Sequence, residues 1–479
     1  MDTGVLVVGA GPTGLTLANE LRVAGTPAVL VDKLPRRSEL SRAGGVQSRT
    51  LTALDQRGLL EPLLATGNYP TSAGHFAGIG FSPEHTAHRL PWRSVPQVEI
   101  EGFFERHLAA HGVHVRRDHE LTGLDQDADG VTATFGNGAV FRARYLVAAD
   151  GAHSVVRSLL GAGFPGRPGT STVIAADVRL SGAGEPMSHT WTDDGYWAAL
   201  YPLGTDARGR PLRRLVLGGP DAPARDVPVT EDEIRGGLKE VFGSAVELLE
   251  LRYGRRITNA ARQAERYRHG RVFLAGDAAH VHLPLGAQGM NTGMQDALNL
   301  GWKLGAAVHG WAPAGLLDTY HAERHPVGAA VLRNVQAQSL LMDWAGTRDP
   351  DVVATRELFV ALAELPEVQR HLGDLLSGMA IRYEMPGTEV HPLVGRPAPD
   401  LRLGEVRLHE LLRPGRGVLL DPDDAFAEVA GFWSDRVDRA GMGAATEPLL
   451  VRPDGYVCWA GDTGELEPAL ARWFGEPRG

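Results

Sequence analysis

The sequence predicts a mixed α/β protein with an α/β domain split along the chain, a mostly antiparallel β-sheet inserted between its halves, and a further α/β unit at the C-terminus. Three observations predict this arrangement. An apolar strand, a glycine-rich turn and a helix open the chain. Two more apolar strands that end in Asp-Gly and Gly-Asp occur much later, and alternating apolar and polar segments separate them. Strands that alternate with helices favour a parallel sheet, whereas grouped alternating strands favour an antiparallel one.

Length, composition and charge are those of a globular protein with two or three domains. The chain has 479 residues, of which 43% are hydrophobic and 22% charged, and its formal net charge is −10. This acidic balance argues against a nucleic-acid partner, because phosphate binding needs concentrated positive charge. No uncharged apolar run approaches the ~18 residues of a membrane span, and the first strand begins by Val5, which leaves no room for a signal peptide. We therefore expect a cytoplasmic protein that binds neither nucleic acid nor membrane.

The first motif has the pattern of a dinucleotide-binding βαβ unit of the Rossmann type. An apolar run ends in the turn Gly9-x-Gly11-x-x-Gly14, a helical segment follows, and a second apolar run ends at Asp32. The first glycine permits the tight turn, the second lets the backbone approach a pyrophosphate, and the third lets the helix pack closely on the strand. Asp32 would accept hydrogen bonds from a ribose. The motif alone leaves open whether the dinucleotide is FAD or NAD.

Two later strands end in loops that suit the same kind of ligand. Residues 143–149 run into Asp150-Gly151, and residues 271–275 run into Gly276-Asp277, a glycine-rich loop and a helix expected from about residue 294. Unpaired backbone N–H groups at the start of a helix suit a phosphate or an electron-rich ring edge. Because the first and third loops lie far apart in the chain, the binding fold must be interrupted by the sheet between them.

The inserted segment has the pattern of a separate sheet. Residues 172–257 alternate in polarity and contain one helical stretch near 231–242. The Gly- and Pro-rich segment 68–88 lacks periodicity and is expected to line a cavity, and a hairpin is expected around Asn137-Gly138. The aromatic residues of the inserted segment either cover a flat substrate or form sheet core, and both readings stay open: Trp191, Tyr196, Trp197 and Tyr201.

The remaining chain predicts helices and then a C-terminal unit. Helical patterns cover 318–344, 351–363 and 368–381, a Pro-rich linker spans 390–400, and strands are expected at 417–421, 448–452 and 456–459. The expected division is a discontinuous domain of residues 1–171 and 258–385, an inserted sheet domain of residues 172–257, and a C-terminal domain of residues 390–479.

Other patterns do not meet the requirements of the chemistry that they suggest. A second GxGxxG, at 161–166, has no strand before it, and Pro165 forbids the helix that should follow. His321-x-Glu-x-His325 lacks the HExxH order and precedes Pro326, which indicates a helix end, so no metal site is expected. There is no Gly-x-Ser-x-Gly elbow of a serine hydrolase. The single cysteine, Cys458, excludes an internal disulfide and dithiol chemistry.

The three motifs, in this order and spacing, resemble the group A FAD-dependent aromatic hydroxylases of the para-hydroxybenzoate hydroxylase type. Segments 55–58, 74–78, 95–97 and 320–325 are similar to the branch that tailors aromatic polyketides or oxygenates rifamycins. The resemblance implies a Rossmann-like FAD-binding domain interrupted by a mostly antiparallel β-sheet substrate domain. It also implies a thioredoxin-like C-terminal domain that lacks the redox cysteines.

The resemblance further implies which residues meet FAD. The pyrophosphate would be bound by Gly9, Gly11, Thr13 and Gly14, the adenosine ribose by Asp32, and the adenine by the backbone of Leu121. The flavin or its linker would contact Arg42 and Gln97, Asp277 would meet the ribityl or pyrophosphate region, and Lys33 would contact the cofactor without a more specific role. Asp150 would serve both FAD and transient NAD(P)H, and the isoalloxazine edge would be held by Pro284, Gly289, Met290 and Asn291.

The implied reaction is the hydroxylation of a polycyclic aromatic, polyketide-type substrate with NAD(P)H and O2, through a flavin hydroperoxide. The flavin supplies that chemistry, while the protein orients the substrate and excludes water. Rifamycin-type drug oxygenation, Baeyer–Villiger oxygenation and an FAD-dependent reduction without O2 remain alternatives on the same scaffold. The sequence assigns no catalytic residue and leaves open the exact substrate, the choice between NADPH and NADH, and the oligomeric state.

Overall fold

The computed structural model describes most of the chain. The described residues are 2–71, 74–82, 84–85, 88–182, 189–205, 208–220, 222–343, 349–387, 391–422, 424–441, 447–461 and 466–477. They include an eight-stranded, a five-stranded and a four-stranded sheet, here called the main, inserted and C-terminal sheets. The fold is therefore of the predicted mixed α/β class.

The main sheet brings the three motifs to one edge. Its strand order is Arg268–His269, Val272–Leu274, Val140–Ala148, Thr3–Val8, Ala28–Val31 and Val115–Arg116, with Leu121–Gln126 and Val131–Phe135 attached as an antiparallel meander. The last five strands of that order are mutually parallel. All residues of Thr3–Val8, the first strand of the chain, are buried, as expected for a central parallel strand covered on both faces. Because the carboxyl ends of parallel neighbours coincide, the loops that follow these strands meet.

Helices cover both faces of the main sheet and extend beyond it. The helices before the inserted sheet are Pro12–Val23, Ser48–Asp55, Leu60–Leu64, Gln97–Ala110 and Val155–Leu159. Those after it are Gln288–His309, Asp318–Leu341, Pro350–Ala363 and Pro366–Ser377, preceded by the short 3-10 turns Gly276–Ala278 and Leu285–Ala287. Within the described ranges, no helix is long and apolar enough to cross a membrane.

The inserted sheet is fully antiparallel and has two different faces. Its strand order is His189–Trp191, Trp197–Thr205, Pro211–Gly218, Thr172–Ser181 and Glu247–Thr258. Ala198 and Leu200 pack with Ile234 of the helix Glu231–Phe242. Trp197, on the opposite face, packs with a second apolar cluster that includes residues of the main domain. The period-two alternation read from the sequence therefore separates a structural face from a face turned towards the rest of the molecule.

The C-terminal sheet forms its own core. Its strand order is Val437–Gly441, Gly417–Asp421, Leu449–Val451 and Val457–Ala460, in which the first two strands are parallel and are joined through the helix Ala427–Gly431. The helix Leu466–Phe474 follows and buries Trp473 and Phe474 in this core. Smaller elements are the helix Leu408–Leu411 and the strands His75–Phe76, Ile79–Gly80, Gly166–Arg167, Ala261–Gln263, His280–Val281, Arg402–Leu403 and Val406–Arg407.

One local prediction was wrong and one strand was missed, whereas a predicted hairpin is present. Pro326 lies inside the helix Asp318–Leu341 instead of ending it; the buried contacts of this helix outweigh one missing backbone hydrogen bond. The predicted hairpin around Asn137-Gly138 is present, because Val131–Phe135 and Val140–Ala148 pair antiparallel across this turn, and Leu121–Gln126 extends the hairpin to a three-stranded meander. The strand Val437–Gly441 was not predicted, since this edge strand alternates buried and exposed residues and has no apolar run.

Candidate functional site

The first glycine turn is close-packed on two sides and open on the third. Gly9 has φ +106°, and a Cβ there would lie 2.3 Å from the Ala149 carbonyl oxygen. A Cβ on Gly14 would lie 1.9 Å from the Gly9 carbonyl oxygen, so helix and strand are in direct contact. A Cβ on Gly11 would meet no protein atom within 4 Å, and this residue caps the helix Pro12–Val23 without a side-chain hydrogen bond. Free N–H groups at the helix start therefore face open space, as a pyrophosphate site requires.

Asp32 is held rigidly at the end of the second strand. Its Oδ2 accepts a hydrogen bond from Ala10 N at 2.8 Å, and its Oδ1 accepts one from Leu34 N at 2.8 Å. His119 N donates to the Asp32 carbonyl oxygen, and Leu121, two residues later, begins the strand Leu121–Gln126. Leu121 therefore lies near Asp32 in the fold. Lys33 is exposed, and its side chain makes no hydrogen bond or ion pair with the described residues.

Asp150 follows the long central strand and adjoins the first turn. Its Oδ2 accepts hydrogen bonds from Val155 N at 2.8 Å and Val156 N at 3.2 Å. Burial raises the pKa of the Asp150 carboxyl, and hydrogen bonds from the Ser154 hydroxyl and from these backbone N–H groups offset the effect only in part. Its buried Oδ1 accepts no hydrogen bond from the described residues. Such an atom normally has a partner, which points to a ligand donor at this place.

The third motif packs against the first. A Cβ on Gly276 would lie 2.6 Å from Thr13 Oγ1, and a Cβ on Gly293 would lie 2.3 Å from the same atom. Gly276 N donates to Asp296 Oδ2 at 3.0 Å, whereas the next residue, Asp277, is exposed and free of protein hydrogen bonds among the described residues. The loop is thus fixed by its backbone and leaves one carboxylate available.

The segment from Pro284 to Asn291 is partly helical, which corrects the expected helix start near residue 294. Gly286 and Ala287 adopt left-handed conformations, and the helix begins directly afterwards at Gln288. Gly289, Met290 and Asn291 therefore occupy its first turn. The sequence pattern did not reveal this start because the first turn is rich in glycine and polar residues.

The Asn291 side chain is hydrogen-bonded to other residues of the protein. Its side chain is buried, accepts a hydrogen bond from Gln47 N at 2.9 Å and donates to the Gly45 carbonyl oxygen at 3.0 Å. Gln47 Nε2 in turn donates to the Gly286 carbonyl oxygen at 2.6 Å. Pro284 is exposed and Gly289 and Met290 are half-buried. The available surface of this segment is therefore its backbone and those residues, and not the Asn291 amide.

Gln97 contacts the loop that carries Arg42. Gln97 N donates to Ser41 Oγ at 2.9 Å, and its side chain donates to Glu101 Oε1 at 2.7 Å. Arg42 is exposed, and its carbonyl oxygen accepts a hydrogen bond from Arg214 of the inserted sheet at 3.3 Å. The structure thus brings the 41–43 loop into contact with both the helix Gln97–Ala110 and the inserted sheet.

The inserted sheet and the helices after residue 318 pack around a shared cluster of apolar side chains next to this loop. The second face of the sheet contributes Val173, Ala175, Trp197 and Ala199. The same cluster contains Leu283 and Leu285, Phe76, Phe81 and residues of the helices Asp318–Leu341 and Pro366–Ser377, namely Val335, Leu341, Leu372 and Leu376. We call this region the chamber. It joins the inserted sheet directly to the predicted flavin loop.

Polar groups of the chamber come from segments far apart in sequence. His189 Nε2 and Tyr201 OH are 2.9 Å apart, and the His75 ring stacks on Tyr201 with centroids 5.8 Å apart. Arg356 lies over the Trp191 ring at 4.7 Å and donates to the Ala77 carbonyl oxygen. Burial and the neighbouring His189 lower the pKa of His75 to about 3, so His75 is neutral at neutral pH.

Sequence reasoning found only part of the chamber. Trp191 and Tyr201 are partly buried and pack against the chamber cluster, as the flat-substrate hypothesis requires, whereas Trp197 is fully buried within the cluster. The alternation His189-x-Trp191 could have indicated His189, since the two residues share one face of a strand. His75 and Arg356 have no local signal because their places are set by tertiary packing.

Comparison with known families identifies the class. A family described as "FAD binding domain" matches residues 2–335, and one described as "Aromatic-ring hydroxylase, C-terminal" matches residues 391–477. Fold, open glycine turn and paired Asp loops together define an FAD-binding protein of the aromatic-ring hydroxylase class.

Individual relatives give a more specific placement. The chain is 42% identical to a 12-dehydrotetracycline 5-monooxygenase/anhydrotetracycline 6-monooxygenase of Streptomyces rimosus, with 100% of each chain covered. It is 43% identical to a rifampicin monooxygenase of Streptomyces venezuelae, with 98% of each covered. The solved structure of an anhydrotetracycline hydroxylase from Streptomyces rimosus is 41% identical, with a TM-score of 0.89 and 100% of each chain covered. The chain belongs to this family of FAD-dependent aromatic hydroxylases, in its polyketide hydroxylase branch, and is a flavoprotein monooxygenase.

Proposed function

We propose that this monooxygenase hydroxylates a polycyclic aromatic, polyketide-type substrate with bound FAD, NAD(P)H and O2. The observation that carries the proposal is the chamber, where an aromatic-bearing sheet face and Leu283 and Leu285 of the predicted flavin loop form one apolar cluster. A flat apolar substrate enclosed there would lie beside the flavin. The tetracycline and rifampicin relatives act, by name, on large polycyclic compounds.

The residues on the cofactor side fit FAD. The open helix start at Gly11 suits the pyrophosphate, and the remaining lone pairs of Asp32 suit the ribose. The unpartnered Oδ1 of Asp150 and the exposed carboxylate of Asp277 suit donors of the sugar or ribityl part. When bound, FAD would accept electrons from NAD(P)H and would transfer one oxygen atom of O2 to the substrate.

The chain's own task is to hold the substrate and exclude water. The chamber walls are apolar, and the hydrogen-bonded pair His189–Tyr201 offers a polar contact for a phenolic or carbonyl oxygen. Arg356 adds a cation near Trp191. A dry site limits the loss of activated oxygen as H2O2.

We further propose the domain division expected from the sequence. Residues 1–171 and 258–385 would form a Rossmann-like FAD-binding domain, residues 172–257 the substrate domain, and residues 390–479 a thioredoxin-like domain. Separate sheets in these three regions support the division. In the C-terminal unit, a parallel pair with a helical crossover followed by an antiparallel pair and a helix supports the thioredoxin-like assignment.

The test is a coupled turnover assay of the FAD-loaded protein. NADPH and NADH would be offered separately with a tetracyclic aromatic polyketide, a rifamycin and a simple phenol, under ¹⁸O2. We expect the tetracyclic compound to stimulate NAD(P)H oxidation and to gain one ¹⁸O atom, as read by mass spectrometry. Labelling of the rifamycin alone would replace the proposed substrate class, and stimulation without any labelled product would overturn the hydroxylase proposal.

A further inference from the structure

We propose that the C-terminal unit, residues 391–477, positions the FAD-contacting loops through two chains of buried polar contacts. One chain ends at Gly276 and the other at the Leu285–Ala287 turn. The inference rests on the FAD site proposed above. It assigns the C-terminal unit a role that does not need thiol chemistry, since the only cysteine of the sequence, Cys458, is buried, and burial raises the pKa of its thiol.

The first chain starts at the Gly-Asp loop. Asp296 accepts a hydrogen bond from Gly276 N at 3.0 Å and contacts His280 Nε2 at 2.8 Å through the same oxygen. Its other oxygen accepts a hydrogen bond from Arg324 Nε at 2.7 Å. Both Asp296 and Arg324 are fully buried. The orientation of the loop backbone is therefore tied to the position of the Arg324 guanidinium.

Arg324 connects this loop to the C-terminal unit. Its Nη2 donates to the Thr292 carbonyl oxygen at 3.1 Å, and its Nη1 donates to Tyr383 OH at 3.1 Å. The Tyr383 ring stacks on Tyr456 of the C-terminal unit with centroids 4.1 Å apart. Tyr383 is thus the contact through which the C-terminal core meets Arg324.

The second chain follows the helix Ser48–Asp55. Gln47, immediately before this helix, contacts Asn291 and the Gly286 carbonyl oxygen as described above. Two residues later, Arg49 donates to the Asp454 carbonyl oxygen at 2.8 Å and lies over the Tyr456 ring at 5.0 Å. A short rigid element therefore has the predicted flavin loop at its start and the C-terminal unit along its side.

A buried ion-pair cluster fixes the C-terminal unit against the main domain. Arg452 Nη1 is 2.6 Å from Glu323 Oε1, and Lys303 Nζ is 2.8 Å from Glu323 Oε2. Burial raises the pKa of Glu323, but the attraction of Arg452 and Lys303 outweighs it and lowers this pKa to about 2. Arg57 adds hydrogen bonds to the Leu412 and Pro453 carbonyl oxygens.

Charges at this depth favour one relative orientation of the two parts. Apolar contacts alone would tolerate small displacements of one part against the other. A buried charged group that loses its ion-pair partner is left uncompensated, which is strongly destabilising. Fully satisfied buried networks are correspondingly rigid. Glu323 of this ion-pair cluster is next in sequence to Arg324, and both lie on the same helix. The position of the C-terminal unit is therefore transmitted through this helix to the Gly-Asp loop.

The test compares FAD binding in variants of the two chains. Tyr383→Phe removes the hydroxyl that receives the Arg324 hydrogen bond and keeps the ring stack, and Arg49→Met interrupts the second chain. We expect each variant to bind FAD about 3- to 10-fold more weakly, less than for the direct loss of a hydrogen bond between FAD and a charged group, because the removed contact acts on FAD only through the loop. Each variant should also change the visible circular dichroism of the bound flavin. The double variant should lose more than either single one.

Arg416→Gln is the matched control. Arg416 pairs with Asp438 inside the C-terminal unit, with Nε 3.0 Å from Oδ1, and belongs to neither chain. This variant should unfold at a lower temperature but keep the wild-type FAD dissociation constant and flavin spectrum. Wild-type FAD affinity and spectrum in Tyr383→Phe would overturn the first chain, and the same result in Arg49→Met the second. If Arg49→Met does not fold, Tyr383→Phe alone decides whether the unit positions the Gly-Asp loop.

The outcome is separate from that of the proposed function. A wild-type protein that binds FAD but oxygenates none of the offered compounds would contradict the hydroxylase proposal and leave the binding comparison fully informative. A wild-type protein that does not bind FAD would contradict both.

Discussion

The cofactor side and the chamber are built by opposite means. Around Gly9, Asp150 and Gly276, the groups predicted to contact FAD are backbone amides and carboxylates placed by turns that directly follow strands of one parallel sheet. In the chamber, the groups proposed to meet the substrate are side chains such as His75 and Tyr201, which come from a short hairpin and a separate sheet.

This difference predicts how each region tolerates change. Turns that follow adjacent parallel strands keep their geometry as long as the sheet forms, so relatives with different substrates can share them. A chamber assembled from separate segments can change its shape by single substitutions on any wall. Cofactor variants should therefore alter FAD binding alone, and chamber variants should alter turnover at constant FAD content.

The largest effect is expected from Asp277→Ala. This exposed carboxylate has no hydrogen-bond partner among the described residues, so its removal should leave the unfolding temperature of the apoprotein unchanged. FAD affinity should fall about 10- to 100-fold, the range for a hydrogen bond to a charged group. Equilibrium dialysis of FAD measures this, with the exposed Asp125→Ala as control. Full FAD retention in Asp277→Ala would show that the loop has been misassigned.

A somewhat smaller effect is expected from Gly11→Ala. The added methyl meets no protein atom within 4 Å, so the fold should be unaffected, but it enters the space proposed for the pyrophosphate. We expect about tenfold weaker FAD binding, consistent with ~1–3 kcal/mol for an overpacked contact. Gly236→Ala, at another open position, should bind FAD normally. Equal affinities for the two variants would contradict a ligand at Gly11.

The chamber side is tested by Tyr201→Phe. Loss of the hydroxyl next to His189 should change kcat/KM for the best substrate of the turnover screen by about 2- to 10-fold, the range for a neutral hydrogen bond, without changing FAD content. Tyr196→Phe is the control, because the Tyr196 ring lies against Gly219 and outside the chamber cluster. If Tyr201→Phe instead released FAD, the two regions would not be functionally separate.

The smallest effect is expected from lowering the pH, which should reduce the free energy of unfolding. His75 has a pKa lowered from 6.5 to about 3, so the unfolded chain takes up a proton below pH 6.5 that the folded protein does not. Stability should therefore decrease as pH falls, by about 1 kcal/mol between pH 6.5 and 5.5. The measurement is the free energy of unfolding by denaturant as a function of pH, at constant FAD. His75→Gln should lose this part of the pH dependence, whereas the variant of an exposed histidine, His114→Gln, should keep it. Parallel slopes in wild type and His75→Gln would place the protonation elsewhere.

Local patterns predicted much of the cofactor side. The strand, turn and helix around Gly9 to Gly14, and the strands before Asp150 and Asp277, appear in the structure where the sequence indicates them. The start of the helix Gln288–His309 was missed, because left-handed residues and a polar first turn hide it. The contact of Asn291 with the isoalloxazine edge stays a prediction, and the structure adds that its side-chain amide is hydrogen-bonded to Gly45 and Gln47.

The sequence by itself determined the class of the fold and the cofactor loops. Apolar periodicity and glycine turns are local properties, and each of these loops is complete within a few residues. The tertiary structure alone decided which side chains form the chamber and how the C-terminal unit meets the loops. Contacts such as Tyr383 with Arg324, or Arg49 with Asp454, join segments far apart in the chain, and their partners are selected by burial and charge only once the sheets have packed.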